Sequence, residues 1–552
     1  MAGFNYSIRI IFEQISFLKR YLHLYAAFGS GLLLWVSWPM SPLTLLIFVA
    51  WTPLLWIEDH VRNWKKLFGL TYLTMLTWNI AVTWWVWNAS LPGALGAFFA
   101  NSLIMCVPWL LFYFTKRKMG RWIGYGSLII YWLAFEFIHH NWELSWPWLT
   151  LGNVFATHPG WIQWYQYSGT AGGTLWVLLS NILVYALLKE VRANGRTKIY
   201  YTTVFVWVLL LAIPIISSRI ILGGEKKIAE AELATATKNI VIVQPNIDPY
   251  EEKFSGDLES QIQKLIVLSE QKMDKQTTLV VWPETAIPAS ADEKDIRNNR
   301  FYAPIWAFIN RHPFTNLLTG INSYKVYGTE KTTKTARFDK PSGLYYDEFN
   351  TAAFLTPDTA EFYHKAKLVP GVETLPSFLG FLGPVFDNLG GTSGTYGRDK
   401  QRKVFVPWDN HFKAAPVICY ESIYGDYITE YIRRGANLLT IITNDGWWFD
   451  TPGYKQHMNY ARLHAIETRK WVARSANTGI SCFIDPLGNV IDPQPWDTSS
   501  SIKLAVPVDN RLTFYVRHGD ILSRAAVAVS LLLIALNVVL WIMKRVKTSK
   551  NK

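Results

Sequence analysis

Cysteine and charge are both scarce in this sequence. Only Cys106, Cys419 and Cys482 occur in 552 residues, too few for a disulfide framework. Cys106 lies inside an apolar run with no evident partner. Charged residues make up 17% of the chain against 50% apolar, which excludes an ordinary soluble protein of this length and calls for a membrane portion. The formal charge of +13 would suit nucleic-acid binding only if basic residues gathered on one folded surface; here they lie between apolar runs, so no nucleic-acid partner is expected. The chain also lacks a His/Cys/Asp metal cluster, a Gly-rich phosphate loop and a dinucleotide fingerprint, so neither metal nor cofactor is expected. There is no internal repeat. No cleavable signal peptide is evident: the first long apolar stretch follows Lys19 and Arg20 and runs into further spans without a small-residue cleavage site. The N-terminus is expected to stay attached.

What the chain has in abundance is apolar runs of bilayer length. A crossing helix needs about 20 mostly apolar residues, and such stretches fall near 24–40, 42–57, 67–88, 92–114, 122–139, 171–188, 199–220 and 521–543. About eight spans are therefore expected, seven in an N-terminal membrane domain over 1–222 and one at 520–544, followed by a basic tail at 545–552. Between them, 238–510 carries charges, turn dipeptides and short apolar runs such as NIVIVQPNI, TLVVWPETAIP, APVICYESIYG and LLTIITNDGWW. Runs of this kind fit strands buried on both faces of a layered sheet, with helical patterns at 256–273 and 456–472 between them. The segment reads as an α/β domain.

Lys and Arg set the orientation. They cluster after the second span (Arg62, Lys65, Lys66), the fourth (Lys116, Arg117, Lys118, Arg121), the sixth (Lys189, Arg192, Arg196, Lys198) and the eighth (Lys544, Arg545, Lys547, Lys550, Lys552), whereas 40–41, 89–91 and 140–170 contain none. The basic loops and the C-terminus are expected on the cytoplasmic side and the α/β domain outside, in a bacterium on the periplasmic side of the inner membrane. The tryptophans and tyrosines of WPWLTLGNVFATHPGWIQWYQY are expected at the outer interface, where the plain alternative is an anchoring belt.

Three places in the α/β domain carry chemistry. VVWPET delivers Glu284 at the end of an apolar strand, where a carboxylate serves as a general base, although a Glu there is more often a cap or an ion-pair partner. YHKAKLVPGVETLP offers Lys365, Lys367 and Glu373; a buried lysine kept cationic by carboxylates stabilises an oxyanion, whereas a lone lysine is usually a solvated charge. APVICYES ends a strand on Cys419 and continues into Tyr420 and Glu421, an elbow that exposes a nucleophile, whereas a Cys in an apolar strand is most often inert core, as Cys482 is taken to be.

Taken together, in the order Glu, Lys, Cys, these motifs resemble the nitrilase superfamily. WPET, the lysine of KAKLVP and CYE match its three signature sites, and NTAAF at 350–354 and NDGWW at 444–448 resemble further blocks. With a multi-span region before it and a span after it, the chain resembles the bacterial apolipoprotein N-acyltransferases. SWPWLTLG at 145–152, containing Gly152, and the following WIQWYQYSGTAGGTLWVLLSN resemble that family's motif before the sixth span. The resemblance implies a polytopic helical membrane domain carrying an extracytoplasmic nitrilase-like α-β-β-α sandwich. It also implies a ping-pong transfer from a phospholipid, through a thioester on Cys419, to the α-amine of a lipoprotein's diacylglyceryl cysteine. Glu284 would be the base and Lys365, chosen over Lys367 by its spacing to LVP, the oxyanion stabiliser. Glu373 and Glu421 match supporting carboxylates, Tyr420 follows the nucleophile, Asn350 opens the NTAAF block, and Trp447 and Trp448 match aromatics at the entrance. Two departures, VPGVE where the family reads VPFGE and NDGWW where it reads NDAWF, bear on the shape of the acyl pocket. The stretch with Gly390, Gly391, Gly394 and Gly397 reads as a mobile loop, a candidate lid. A monomer is expected, because the membrane half would obstruct the pairing common among soluble relatives. The rival readings are a membrane-tethered amidase or nitrile hydrolase with water as acceptor, and a non-enzymatic transporter or receptor. Against the latter, no ionisable pair repeats within the spans.

Overall fold

The computed structural model describes residues 21–236, 238–382, 396–407 and 410–550. The Gly-rich stretch lies outside these except for Gly397, and with it the candidate lid. Long helices occupy Tyr21–Val36, Trp64–Thr83, Leu91–Met119, Arg121–His140, Tyr165–Asn194, Lys198–Ala234 and Ile521–Lys550. Among the described residues, four meet both the length and the apolarity of a membrane-crossing helix: Leu91–Met119, Tyr165–Asn194, Lys198–Ala234 and, in the last, Ile521–Val546.

Three features depart from the expected pattern. The apolar run at 42–57 is not one helix but a 3₁₀ turn, Thr44–Phe48, and a nine-residue helix, Thr52–His60. Pro53, in the interior of the run, accounts for the break, since proline tolerates a helix only at its first turn. Helix Leu91–Met119 is interrupted by a π-type turn at Gly96–Ala100. Helix Lys198–Ala234 runs 37 residues, well beyond 222. Its extension GGEKKIAEAELA is rich in strong helix formers and carries a Lys226–Glu230 pair one turn apart.

The α/β domain contains strands β1 (Asn239–Gln244), β2 (Thr277–Val281), β3 (Ile287–Asp292), β4 (Asn316–Gly328), β5 (Arg337–Asp339), β6 (Leu344–Leu355) and β7 (Ala360–His364), which with β13 (Ser500–Ala505) make one mixed sheet ordered β13-β1-β2-β4-β6-β5, β3 pairing with β4 and β7 with β6. A second sheet runs β12-β11-β10-β9-β8, built from β8 (Ala414–Ile418), β9 (Leu438–Thr443), β10 (Trp471–Ala476), β11 (Cys482–Ile484) and β12 (Val490–Ile491). The strand period of two sorts the side chains into layers. Ile240, Ile242, Leu279 and Val281 pack with Ile441 and Val472 of the other sheet, while Val241, Val243 and Val280 pack against helices Leu258–Glu270 and Ala303–Arg311. Helices Gly425–Arg433 and Pro452–Thr468 cover the second sheet. The result is the α-β-β-α sandwich of the nitrilase fold. The helix expected at 456–472 starts earlier, because Thr451 caps it and Pro452 opens it, and ends where Arg469 adopts a φ of 54°.

Bundle and sandwich share one hydrophobic core. The segment 145–167 is the reason. It forms short 3₁₀ turns wedged between helix Pro452–Thr468 and the bundle; of its aromatics expected at the outer interface, Trp148 and Tyr165 are buried in protein, Trp146, Trp161 and Trp164 are half-buried and Tyr167 is exposed. Trp148 Nε1 donates to Gln456 Oε1 at 2.7 Å, Trp38 Nε1 to Tyr460 OH at 3.0 Å, and Tyr460 OH to the Trp148 carbonyl at 2.9 Å. Arg469 donates to Gln163 and Gln166 at 2.6 and 2.9 Å. Glu136, buried in helix Arg121–His140, receives bonds from Leu151 N, Trp132 Nε1 and Thr174 Oγ1 and so fixes this segment from the bundle side.

Candidate active site

Strand ends bring the three candidate residues to one place. β2 runs out at Val281, and Trp282 and Pro283 deliver Glu284. The next residue, Thr285, has a φ of 48°. β7 ends at His364 and hands over directly to Lys365, while β8 ends at Ile418 and turns sharply on Cys419, also at a φ of 48°. A non-glycine residue in this region costs about 1 kcal/mol or more and persists only where its surroundings impose it.

Glu421 imposes it. Its Oε2 accepts from Ile418 N at 2.9 Å; its Oε1 accepts from Ala366 N and Tyr363 OH, each at 2.7 Å, and from Tyr427 OH. One carboxylate thus ties the nucleophile elbow to the lysine segment. The Cys419 carbonyl accepts from Ser422 Oγ at 2.6 Å and lies 3.3 Å from His457 Nε2. His457 Nδ1 in turn lies 2.9 Å from Asp445, which Arg474 holds at 2.7 Å.

Lys365 Nζ donates to Glu284 Oε1 at 3.1 Å and to Glu373 Oε1 at 2.8 Å, and Asn350 Nδ2 spans the same two oxygens at 2.8 and 3.0 Å. The second Glu284 oxygen accepts from Asn444 N at 3.2 Å. Burial works against charge on both partners, yet the lysine, Asn350 and the other cations hold the Glu284 carboxyl below its ordinary range, and the two carboxylates hold Lys365 well above its own. Glu284 therefore rests as a carboxylate and Lys365 as an ammonium. For Cys419, burial pushes the thiol above its usual range; the Glu284 carboxylate adds to that, and Lys365 opposes it. A resting thiolate is therefore not expected, and the thiol proton must leave toward the base as sulfur attacks.

Cys419 opens into a partly open cavity of about 550 Å³ that both halves of the chain line. Tyr420, Trp448 and His457 contribute from the sandwich, Trp85, Gly96 and Ile104 from the bundle, and Trp146 and Trp148 from the wedge. The π-type turn at Gly96–Ala100 lies in this wall, a common place for such irregularities. Tyr420 OH donates to the Ser145 carbonyl at 2.8 Å, and Trp448 packs on Trp85 with ring centres 4.7 Å apart.

Of the named residues, Cys419, Tyr420 and Trp448 line the cavity, Glu284, Lys365, Glu373, Glu421 and Asn350 are not part of its lining, and Gly152 and Trp447 lie elsewhere. Gly152 is buried in the wedge, where a Cβ would lie 2.0 Å from the Thr170 carbonyl, and Trp447 packs on Tyr250. Lys367 donates to the His140 carbonyl at 2.7 Å and so joins sandwich to bundle. Cys482 is fully buried, its thiol pushed up to about 12 by burial. Sequence reasoning missed Ser422, Asp445, His457 and Lys253. The first two sat inside motifs already singled out; the histidine, one turn into a helical pattern, and Lys253, in the polar stretch YEEKFSG, gave no signal of their own.

Fold and site define a member of the carbon–nitrogen hydrolase class, whose family model matches residues 239–510, while the model of the apolipoprotein N-acyltransferase N-terminal domain matches residues 30–183. An apolipoprotein N-acyltransferase from Chlorobaculum tepidum is 30% identical over 512 residues, covering 91% of this chain and 94% of its own length, and one from Geobacter metallireducens is 24% identical over 516 residues, covering 90% and 92%. Among solved structures, a cysteine-to-alanine mutant of Nesterenkonia AN1 amidase from the nitrilase superfamily is 13% identical with a TM-score of 0.34, covering 51% of this chain and 94% of that one. The chain belongs to the apolipoprotein N-acyltransferase family and is an acyltransferase with membrane-type helices.

Proposed function

We propose that this enzyme N-acylates lipoproteins by a thioester route through Cys419, with a membrane phospholipid as donor and the α-amine of the N-terminal diacylglyceryl cysteine as acceptor. The observation that carries the reading is the Glu284–Lys365 pair beside a nucleophile elbow whose apolar cavity is walled partly by a bilayer-length helix. Such a cavity suits an acyl chain rather than a small polar amide.

The residues divide the work. Glu284 takes the proton as Cys419 Sγ attacks the donor ester carbonyl. Lys365 faces the oxyanion of the tetrahedral intermediate. Collapse breaks the C–O bond, and the departing alkoxide takes the proton from Glu284, releasing lysophospholipid and leaving the thioester. The acceptor amine then attacks that carbonyl, gives its proton to Glu284, and the C–S bond breaks to return the thiol. No other reactant is required. Glu373 and Asn350 hold Lys365 and Glu284, Glu421 holds the elbow, and Tyr420, Trp448 and, beyond it, Trp447 shape the entrance.

The proposed arrangement places the sandwich, about 238–510, on the periplasmic side of the bacterial inner membrane, with about eight spans and a cytoplasmic C-terminus. Basic residues at 116–121 and 189–198 support this orientation, as both clusters sit at the helix ends away from the cavity. The proposed working form is a monomer.

Intact-mass analysis of the purified full chain with phospholipid and no acceptor tests the reading. A hydroxylamine-labile acyl adduct is expected on wild type and on Cys482→Ala, absent from Cys419→Ala, and discharged by a diacylated lipopeptide. Discharge by water alone at the same rate would mean a hydrolase, and an adduct that survives in Cys419→Ala would remove the nucleophile.

A further inference from the structure

A second buried lysine lies at this site and takes no part in the mechanism above. Lys253 sits in the turn between β1 and helix Leu258–Glu270, where Lys253 N donates to the Asp248 carbonyl at 2.9 Å, and its side chain runs inward to 2% exposure. Nζ donates to the main-chain carbonyl of Glu284 at 3.0 Å. Among the described residues no carboxylate lies within ion-pairing distance of it, in contrast to Lys365, which has two. A buried ammonium without a paired anion is costly and is retained where its field is used. The charges it feels are the Glu284 carboxylate and the Cys419 thiol; burial is the larger influence and brings Lys253 down to about 8.

Charge balance shows what that field does. The carboxylates of the centre are Glu284, Glu373 and Glu421, with Asp445 paired to Arg474 beneath the elbow, and the ammonium ions beside them are Lys365 and Lys253. Lys365 alone would leave a net negative site in which a further negative charge, on sulfur or on the tetrahedral oxygen, is opposed. Lys253 offsets part of that negative charge, and moving the thiol proton to Glu284 leaves the total unchanged. The Glu284 carbonyl is also the last atom before the strained turn at Thr285, so the same contact fixes how the base is presented.

We propose that Lys253 is a positioning residue and second cation of the site, holding the Glu284 turn from behind and supplying the field under which the Cys419 thiolate forms. This rests on Cys419 being the nucleophile and deepens that reading. The groups facing the thiol from the surrounding elements are Glu284, Lys365, Asp445, Tyr420 and the Cys419-adjacent His457, and none of them is altered by the test.

The full chain in detergent micelles would be alkylated with iodoacetamide at pH 7, where Lys253 carries its charge, and the rate of Cys419 modification followed by peptide mass. In Lys253→Met that rate should fall about ten-fold, and acyl-adduct formation from phospholipid at the same pH should slow about ten-fold or more. Lys253→Arg should restore both rates, because it returns the charge. A Met rate equal to wild type would overturn the proposal. So would a slowed rate that Arg does not restore in a protein that still melts like wild type. If Cys419→Ala keeps the acyl adduct, the nucleophile assignment fails instead, and the two failures are separate.

Discussion

Asp445 is a carboxylate with no access to water, held by the Arg474 guanidinium and His457 beneath the cysteine elbow. Burial opposes its charge, but these partners prevail and bring it down to about 2 from an ordinary 3.8. A lowered folded-state value stabilises the fold fully above the unfolded carboxyl range, and that stabilisation is lost as pH falls from about 4 toward 2. Melting temperatures across pH 2 to 6 should therefore fall steeply at the acid end for wild type, while Asp445→Asn, already less stable at pH 6, should show a flatter acid limb. Equal acid slopes would dissociate Asp445 from acid stability. Why Glu284, Lys365 and Cys419 were legible in the sequence and this support was not follows from the same geometry. The three stand where apolar strands stop and a polar turn begins, a boundary that hydrophobicity marks. Asp445 and His457 act through partners 12 and 17 residues away or more, and Lys253 reaches a carbonyl 31 residues ahead; such contacts exist only after folding.

At the level of elements, tight approach decides where the wedge can sit. Gly152 lies so close to the first turns of helix Tyr165–Asn194 that a Cβ would stand 2.0 Å from the Thr170 carbonyl and a Gly173 Cβ 1.9 Å from Tyr165 OH. Backbone offers no way to yield. Gly152→Ala should therefore lower the melting temperature of the detergent-solubilised protein by several degrees, as expected of an overpacking cost of about 1 to 3 kcal/mol in a well-packed core, while the proportion of folded protein that forms the acyl adduct stays measurable. An unchanged melting temperature would show that the wedge can shift. The sequence displayed this element as aromatic-rich but not that Trp148 and Tyr165 would be covered by protein, because composition reports amphipathic rings and not what covers them. The break at 42–57 was visible in Pro53 but was outweighed by a continuous run of apolar residues. The strands were read with the fewest errors, since a six-residue run of Ile, Leu and Val between turn residues leaves few other places to be buried.

Across the whole molecule, the core is continuous from the bundle to the second sheet. An excised 238–510 segment would expose Gln456 and Tyr460, leave Arg469 without Gln163 and Gln166, and uncover the apolar side of helix Pro452–Thr468. It should be recovered as aggregate, whereas the full chain in detergent should melt in one transition by intrinsic fluorescence; a soluble, monomeric, cooperatively melting fragment would contradict this. The same bonds carry a geometric consequence. Cys419 is joined to the helices through Tyr420 and Ser145 on one side and Lys367 and His140 on the other. Its altitude relative to them is therefore a constant of the architecture, a built-in gauge. For the proposed lipid-anchored donor and acceptor, the carbonyls expected to reach the sulfur are those that stand at that same height relative to the helix ends.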